Sequence, residues 1–152
     1  MPSEFETQCK KCNPWIFILE DAETRIDRMT KALNAAWNSE AWAATQTACA
    51  AIAWLEKHYS GCEVISLDHD LGPANGSEDP GVGMDVVLWL ERQPPTARII
   101  IHSANVPAGA EMFNRLARAG FKVYRVFPIA NDRWVEDDWL KSVNLLKDWG
   151  KE

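Results

Sequence analysis

The chain has 152 residues, 47% hydrophobic and 25% charged, which fits one globular domain with its own core and excludes wholesale disorder. Sixteen Lys and Arg against 22 Asp and Glu leave a net charge of −6. That balance excludes a chain that coats DNA non-specifically or sits on anionic lipid; a nucleic-acid ligand has to be held locally, at an end. The first apolar run, Trp15 to Leu19, is too short for a signal peptide, and no run approaches the length of a membrane span. The expectation is a cytoplasmic chain whose cysteines, Cys9, Cys12, Cys49 and Cys62, are reduced.

Residues 1–14 read as an N-terminal arm and 15–150 as the domain. The arm carries Cys9-Lys10-Lys11-Cys12, but no second CxxC or nearby histidine completes a zinc site. A first strand follows at Trp15–Leu19, then a helix over Ala22–Trp37 with Ile26, Met29, Leu33 and Trp37 on one stripe. The stretch Ala35–Ala44 has a poor pattern and room for one more strand. A helix over Thr45–His58 turns Ala48, Ile52 and Leu55 inward and leaves His58 at the surface. A strand at Glu63–Leu67 precedes a loop, Gly72–Gly83, rich in Gly, Pro, Asn, Ser and Asp and long enough to suggest function.

A helix over Met84–Arg92 is stopped by Pro94-Pro95, and a strand follows at Arg98–Ile101. The next helix, Pro107–Ala119, has Pro early, Met112 and Leu116 inward, and Gly120 as its C-cap. A strand at Phe121–Phe127 and a helix over Val135–Trp149, closed by Gly150, complete the order. Near-continuous apolar strands alternating with helices predict an α/β fold: a doubly wound sheet of about five parallel strands with helices on both faces.

The strand ends carry the chemistry. The first ends in Glu20-Asp21, the Glu63–Leu67 strand in Asp68-His69-Asp70, and the Arg98–Ile101 strand in His102-Ser103-Ala104-Asn105. Ligands of open parallel sheets bind outside the carboxyl ends of the strands. Carboxylates meeting there without cations raise one another's pKa values, so the cluster points to a divalent cation or a catalytic role, and oxygen ligands point to Mg²⁺. Taken singly, each residue has a structural explanation: an acidic pair beside a helix start, an aspartate in a turn, a buried histidine.

An acidic pair, a strand-end aspartate and a strand-end Ser in this order resemble the receiver domain of two-component signalling. The resemblance implies a flavodoxin-like fold over about Trp15–Trp149. It implies Mg²⁺ on Glu20, Asp21 and Asp68, with Asp68 at the phosphoacceptor position and Ser103 as the hydroxyl that senses the phosphoryl group. Receivers end their fifth strand in Lys-Pro; here that place reads Phe127-Pro128, with Arg125 two residues earlier. Ordinary phosphorelay switching is therefore not expected. The strings Ser66-Leu67-Asp68-His69-Asp70-Leu71-Gly72 and His102-Ser103-Ala104-Asn105 resemble a divergent branch, the cyclic-phosphate processing receiver domain family.

That resemblance implies phosphohydrolase or cyclic phosphodiesterase chemistry on a phosphate-containing small molecule or an RNA end. Two imidazoles suit it, one activating water and one protonating the leaving oxygen. The expected site is His69, Asp70 and His102 for proton transfer, with Ser103, Asn105 and Arg125 binding the phosphate. The competing class is a non-catalytic receiver-like module that binds a partner protein. Trp37, Trp54, Trp139 and Trp149 fall at core spacing, whereas Trp42, Trp89 and Trp134 suit base stacking or a homodimer face.

Overall fold

The computed structural model describes residues 14–37, 41–72, 79–129 and 131–147. The chain order is β1 (Ile16–Leu19), α1 (Glu23–Ala36), β2 (Trp42–Thr45), α2 (Ala48–His58), β3 (Val64–Leu67), α3 (Gly83–Leu90), β4 (Arg98–Ile101), α4 (Val106–Arg118), β5 (Lys122–Arg125) and α5 (Leu140–Lys147). All five strands are parallel in the order β2-β1-β3-β4-β5. The expected architecture is present.

Alternation along the strands splits the core in two. Phe17, Leu19, Ile65, Leu67, Ile99 and Ile101 face one layer with α2, α3 and α4. Ile16, Ile18, Val64 and Ile100 face the other with α1 and α5. Strands buried on both faces are apolar at nearly every position, which is why β1, β3 and β4 are plain in the sequence. The stretch with a poor pattern does contain a strand: β2 is Trp-Ala-Ala-Thr, fully buried but without a branched apolar residue.

Other boundaries moved. β5 ends at Arg125, two residues before the predicted end, and leaves Phe127 47% exposed. The last helix opens with a 3₁₀ turn, Asp132–Trp134, and a π-helical turn, Val135–Trp139. Trp42 and Trp134 are buried rather than free for stacking. Trp37 is 37% exposed; it packs edge-on against Trp15 and donates to Asn144 Oδ1. The CxxC, the middle of the Gly72–Gly83 loop, and Trp149 with Gly150 lie outside the described residues. No helix among the described residues is long and apolar enough to cross a membrane.

The flanks of the loop close tightly. Asp70 and Val82 form an antiparallel bridge, Gly83 N–H donates to His69 O at 2.9 Å, and Ala48 N–H donates to Pro80 O at 2.8 Å. Gly83 opens α3 against the end of β3. A Cβ there would overlap the Asp68 carbonyl oxygen and come within 2.9 Å of His69 Cα and Met112 Cε. Ala in place of a helical Gly ordinarily stabilises by about 0.5–1 kcal/mol. Here Gly83→Ala is expected to destabilise by about 1–3 kcal/mol, read as a lowered urea midpoint, because backbone has to shift.

Candidate functional site

The in-register pairing of β1, β3 and β4 aligns Ile18, Ser66 and Ile100. Two residues on, the same parity delivers Glu20, Asp68 and His102 side by side at the carboxyl edge. Asp68 N–H donates to Leu19 O and His102 N–H to Leu67 O, so the ladder holds to that edge. All three side chains are buried, Glu20 and His102 completely. One ligand atom from each lies within 4.8 Å of the others, a spacing that suits a common cation.

Both ring nitrogens of His102 face polar groups. Nδ1 lies 2.6 Å from Ser66 Oγ, and Ser66 Oγ accepts the Trp139 indole N–H at 2.9 Å. Nε2 lies 3.2 Å from Glu20 Oε1, within ion-pair distance, and has no other partner among the described residues. Burial alone would raise the Glu20 carboxyl. The attraction of His102, the Ala22 N–H at 3.0 Å and Arg25 outweigh it and hold Glu20 at about 2. Burial pushes Asp68 up to about 6, with Glu20 and Asp21 adding to the rise and His102 and the His69 N–H opposing it. Arg25 Nη1 stands 3.5 Å from Glu20 and 4.0 Å from Asp68.

A second cluster lies beside this row. His69 Nδ1–H donates to Asp70 Oδ1 at 2.8 Å. Asn105 Nδ2 reaches both Asp70 oxygens, at 3.1 and 3.3 Å, while Asn105 Oδ1 caps α4 by accepting from Ala108 N–H. The bonds from His69 and Asn105 hold the Asp70 carboxyl below its ordinary value. The His69 backbone N–H donates to Asp68 Oδ1 at 2.7 Å, which joins the two clusters. Ser103 Oγ is buried and accepts the Asn105 N–H.

Two expected members lie outside the converging trio. Asp21 Oδ2 accepts Gly72 N–H at 2.7 Å; burial and then the adjoining Glu20 carboxyl raise its pKa, but Asp21 is not one of the three residues whose ligand atoms converge. The Arg125 guanidinium packs over the Phe127 ring, 4.5 Å from its centre, and beneath Gly109. Its Nε and Nη2 are buried without a hydrogen-bond partner among the described residues. Partial burial lowers the Arg125 pKa.

The sequence profile of the family described as Cyclic-phosphate processing Receiver domain matches residues 16–118. The chain belongs to this family. No curated protein matches it. Among solved structures, the phosphorylated cyanobacterial phytochrome response regulator RcpA is similar with a TM-score of 0.64 and 17% identity, covering 88% of this chain and 91% of that one. The signal receiver domain of a protein described as a Luxo repressor, from Vibrio parahaemolyticus, gives 0.63 and 20%, covering 89% and 91%. The Mn²⁺-bound form of response regulator Rcp1 gives 0.58 and 15%, covering 88% and 91%. At these identities the likeness establishes the receiver fold.

Ser66, Trp139 and Arg25 belong to the site and escaped sequence reasoning. Ser66 reads as one polar residue inside a strand, and its parity with Asp68 was the available signal. Trp139 reads as core, which it is, with one polar atom turned to Ser66.

Asp68 makes stability depend on pH. Its carboxyl rises from 3.8 unfolded to about 6 folded, so the fold favours the protonated form. The Asp68 contribution is therefore fully present below the unfolded value and is lost as pH rises through about 4 to 6, by up to about 3 kcal/mol. Glu20 has the opposite sign, and its contribution is lost only as pH falls from 4.5 towards about 2. With divalent cations chelated, Asp68→Asn is expected to be more stable than wild type at pH 7.5, with the gap closing by pH 4. Urea denaturation at the two pH values checks this.

Proposed function

We propose that this chain hydrolyses a cyclic phosphodiester, such as a 2′,3′-cyclic phosphate at a nucleotide or RNA end, with His69 as the proton-transferring group. The observation that supports it most is the Asn105–Asp70–His69 relay beside the buried row. Asp70 Oδ1 accepts the hydrogen bond of His69 Nδ1–H, which leaves Nε2 as the nitrogen with the lone pair. Asn105, anchored as the cap of α4, keeps Asp70 from turning away. Carboxylate-oriented imidazoles of this kind transfer protons near neutral pH.

The reaction needs water to attack phosphorus and one ribose oxygen to leave. His69 Nε2 takes the proton of the attacking water as the new P–O bond forms. The P–O bond to the leaving ribose oxygen breaks, that oxygen gains a proton from solvent, and the product is a phosphomonoester. The carboxylate row fits a divalent cation, because burial leaves Asp68 without a full counter-charge and Arg25 offsets only part of the negative charge. When bound, such a cation neutralises charge on the phosphoryl and leaving oxygens. Glu20 and Asp68 would hold it, with Asp21 reaching it through water. The family description and the Mn²⁺-bound receiver Rcp1 support a phosphate ligand and a cation.

Conversion of the cyclic phosphate to a phosphomonoester is measured with 2′,3′-cyclic nucleotides and cyclic-phosphate-ended RNA. His69→Ala is expected to lower kcat about 10²–10⁴-fold, and Asn105→Ala by less. Wild-type turnover that His69→Ala leaves intact removes the mechanism. No turnover, with partner binding instead, favours the non-catalytic module.

Receiver-type switching is not expected. Phe127 cannot pair with a phosphoryl oxygen, and Arg125 is held under Gly109. Acetyl phosphate should therefore produce no stable conformational change. Intact-mass measurement with tryptophan fluorescence checks it, and stable phosphorylation of Asp68 with a fluorescence change would restore the signalling reading.

A further inference from the structure

One buried nitrogen bears on which cation this edge takes. His102 Nε2 is fully enclosed, has no hydrogen-bond partner of good geometry among the described residues, and lies 3.2 Å from Glu20 Oε1 in the cluster with Asp68. A buried polar atom without a well-formed hydrogen bond is costly, so its retention needs a reason. Ligand atoms about 2.1 Å from a shared ion stand up to about 4.2 Å apart, so small rotamer adjustments close the observed cluster around one ion.

We propose that His102 Nε2 is itself a metal ligand. With Glu20 and Asp68 it makes a two-carboxylate, one-imidazole site for a first-row transition metal rather than Mg²⁺. This rests on the reading that the edge holds a divalent cation and names which class. Mg²⁺ takes oxygen ligands and keeps much of its water, whereas imidazole suits transition metals.

The surroundings of the ring agree. For Nε2 to offer its lone pair, the ring proton must sit on Nδ1 and be donated to Ser66 Oγ, 2.6 Å away. Ser66 Oγ then accepts from two sides, from His102 and from the Trp139 indole. Metal-binding histidines are characteristically held through their other nitrogen in this way, which fixes both tautomer and ring plane. Arg25 offsets part of the carboxylate charge, but it is a donor group 3.5 Å from Glu20 and does not occupy Nε2.

Mn²⁺ is the probe, because the thiols of Cys9 and Cys12 compete little for it. The full chain is stripped with chelator and titrated with Mn²⁺ and with Mg²⁺ by calorimetry. The Mn²⁺ complex is examined by pulsed EPR for modulation from a directly bound ¹⁴N. The expected result is a ¹⁴N signal in wild type that persists in His69→Ala and vanishes in His102→Gln. His102→Gln should weaken Mn²⁺ about 10–100-fold and Mg²⁺ far less, and Ser66→Ala should weaken Mn²⁺ about 10-fold while keeping the signal. Circular dichroism checks that each variant folds, and the wild-type signal depends on no variant. Bound Mn²⁺ without ¹⁴N modulation overturns the proposal and leaves an all-oxygen cation and the hydrolytic reading standing. No binding of either ion removes the cation from both readings.

Discussion

The in-register parallel pairing of β1, β3 and β4 is the constraint on which the site depends. Because side chains alternate with a period of two, the register that aligns Ile18, Ser66 and Ile100 also aligns Glu20, Asp68 and His102. A slip of one residue in β4 would bring Ser103 into the row and turn His102 towards α3 and α4. Such a slip would exchange Ile99, Ile100 and Ile101 like for like, so the row is held by the ladder itself, which continues past the strands through Asp68 N–H to Leu19 O and His102 N–H to Leu67 O.

That placement works against stability. Three ionisable groups meet in a buried row, and among the described residues only Arg25 brings a permanent positive charge within ion-pair distance. Asp68 responds by holding its proton to about 6. The fold compensates locally: Ala22 N–H serves Glu20, His69 N–H serves Asp68, and Ser66 with Trp139 serves His102. The π-helical turn before α5 belongs to the same provision, for Trp139 ends it and turns its indole N–H onto β3. Such turns insert one residue into a helix and recur at functional sites.

The chain has the receiver fold but differs from a receiver at the end of β5. The expected lysine position holds a half-exposed Phe127, and the nearby cation, Arg125, is folded back between that ring and α4. Gly109 permits this, since any side chain there would occupy the space of the guanidinium. The polar weight of the edge moves instead to β3 and β4, where two histidines have separate settings. His102 is sealed in the row, and His69 is held by Asp70 beside it.

Much of this was legible in the sequence. Strands buried on both faces announce themselves by composition, and helices by their 3.6-residue stripes, so the sheet and the identity of its functional edge followed from local pattern. The grouping of Glu20, Asp68 and His69 with His102 at one edge followed from strand ends alone. Which of them touch did not. Sequence reasoning paired His69 with His102 and gave Asp21 and Arg125 to the site. In the structure His69 turns its Nδ1 to Asp70 while His102 joins Glu20 and Asp68, Asp21 accepts from Gly72, and Arg125 packs against Phe127 and Gly109, and these partners are set by long-range packing. β2 was faint because Trp-Ala-Ala-Thr has two alanines at its centre and no branched apolar residue, and burial against α1 and α2 completes it. Ser66 and Trp139 lie 73 positions apart, and only the folded sheet makes them one support for His102.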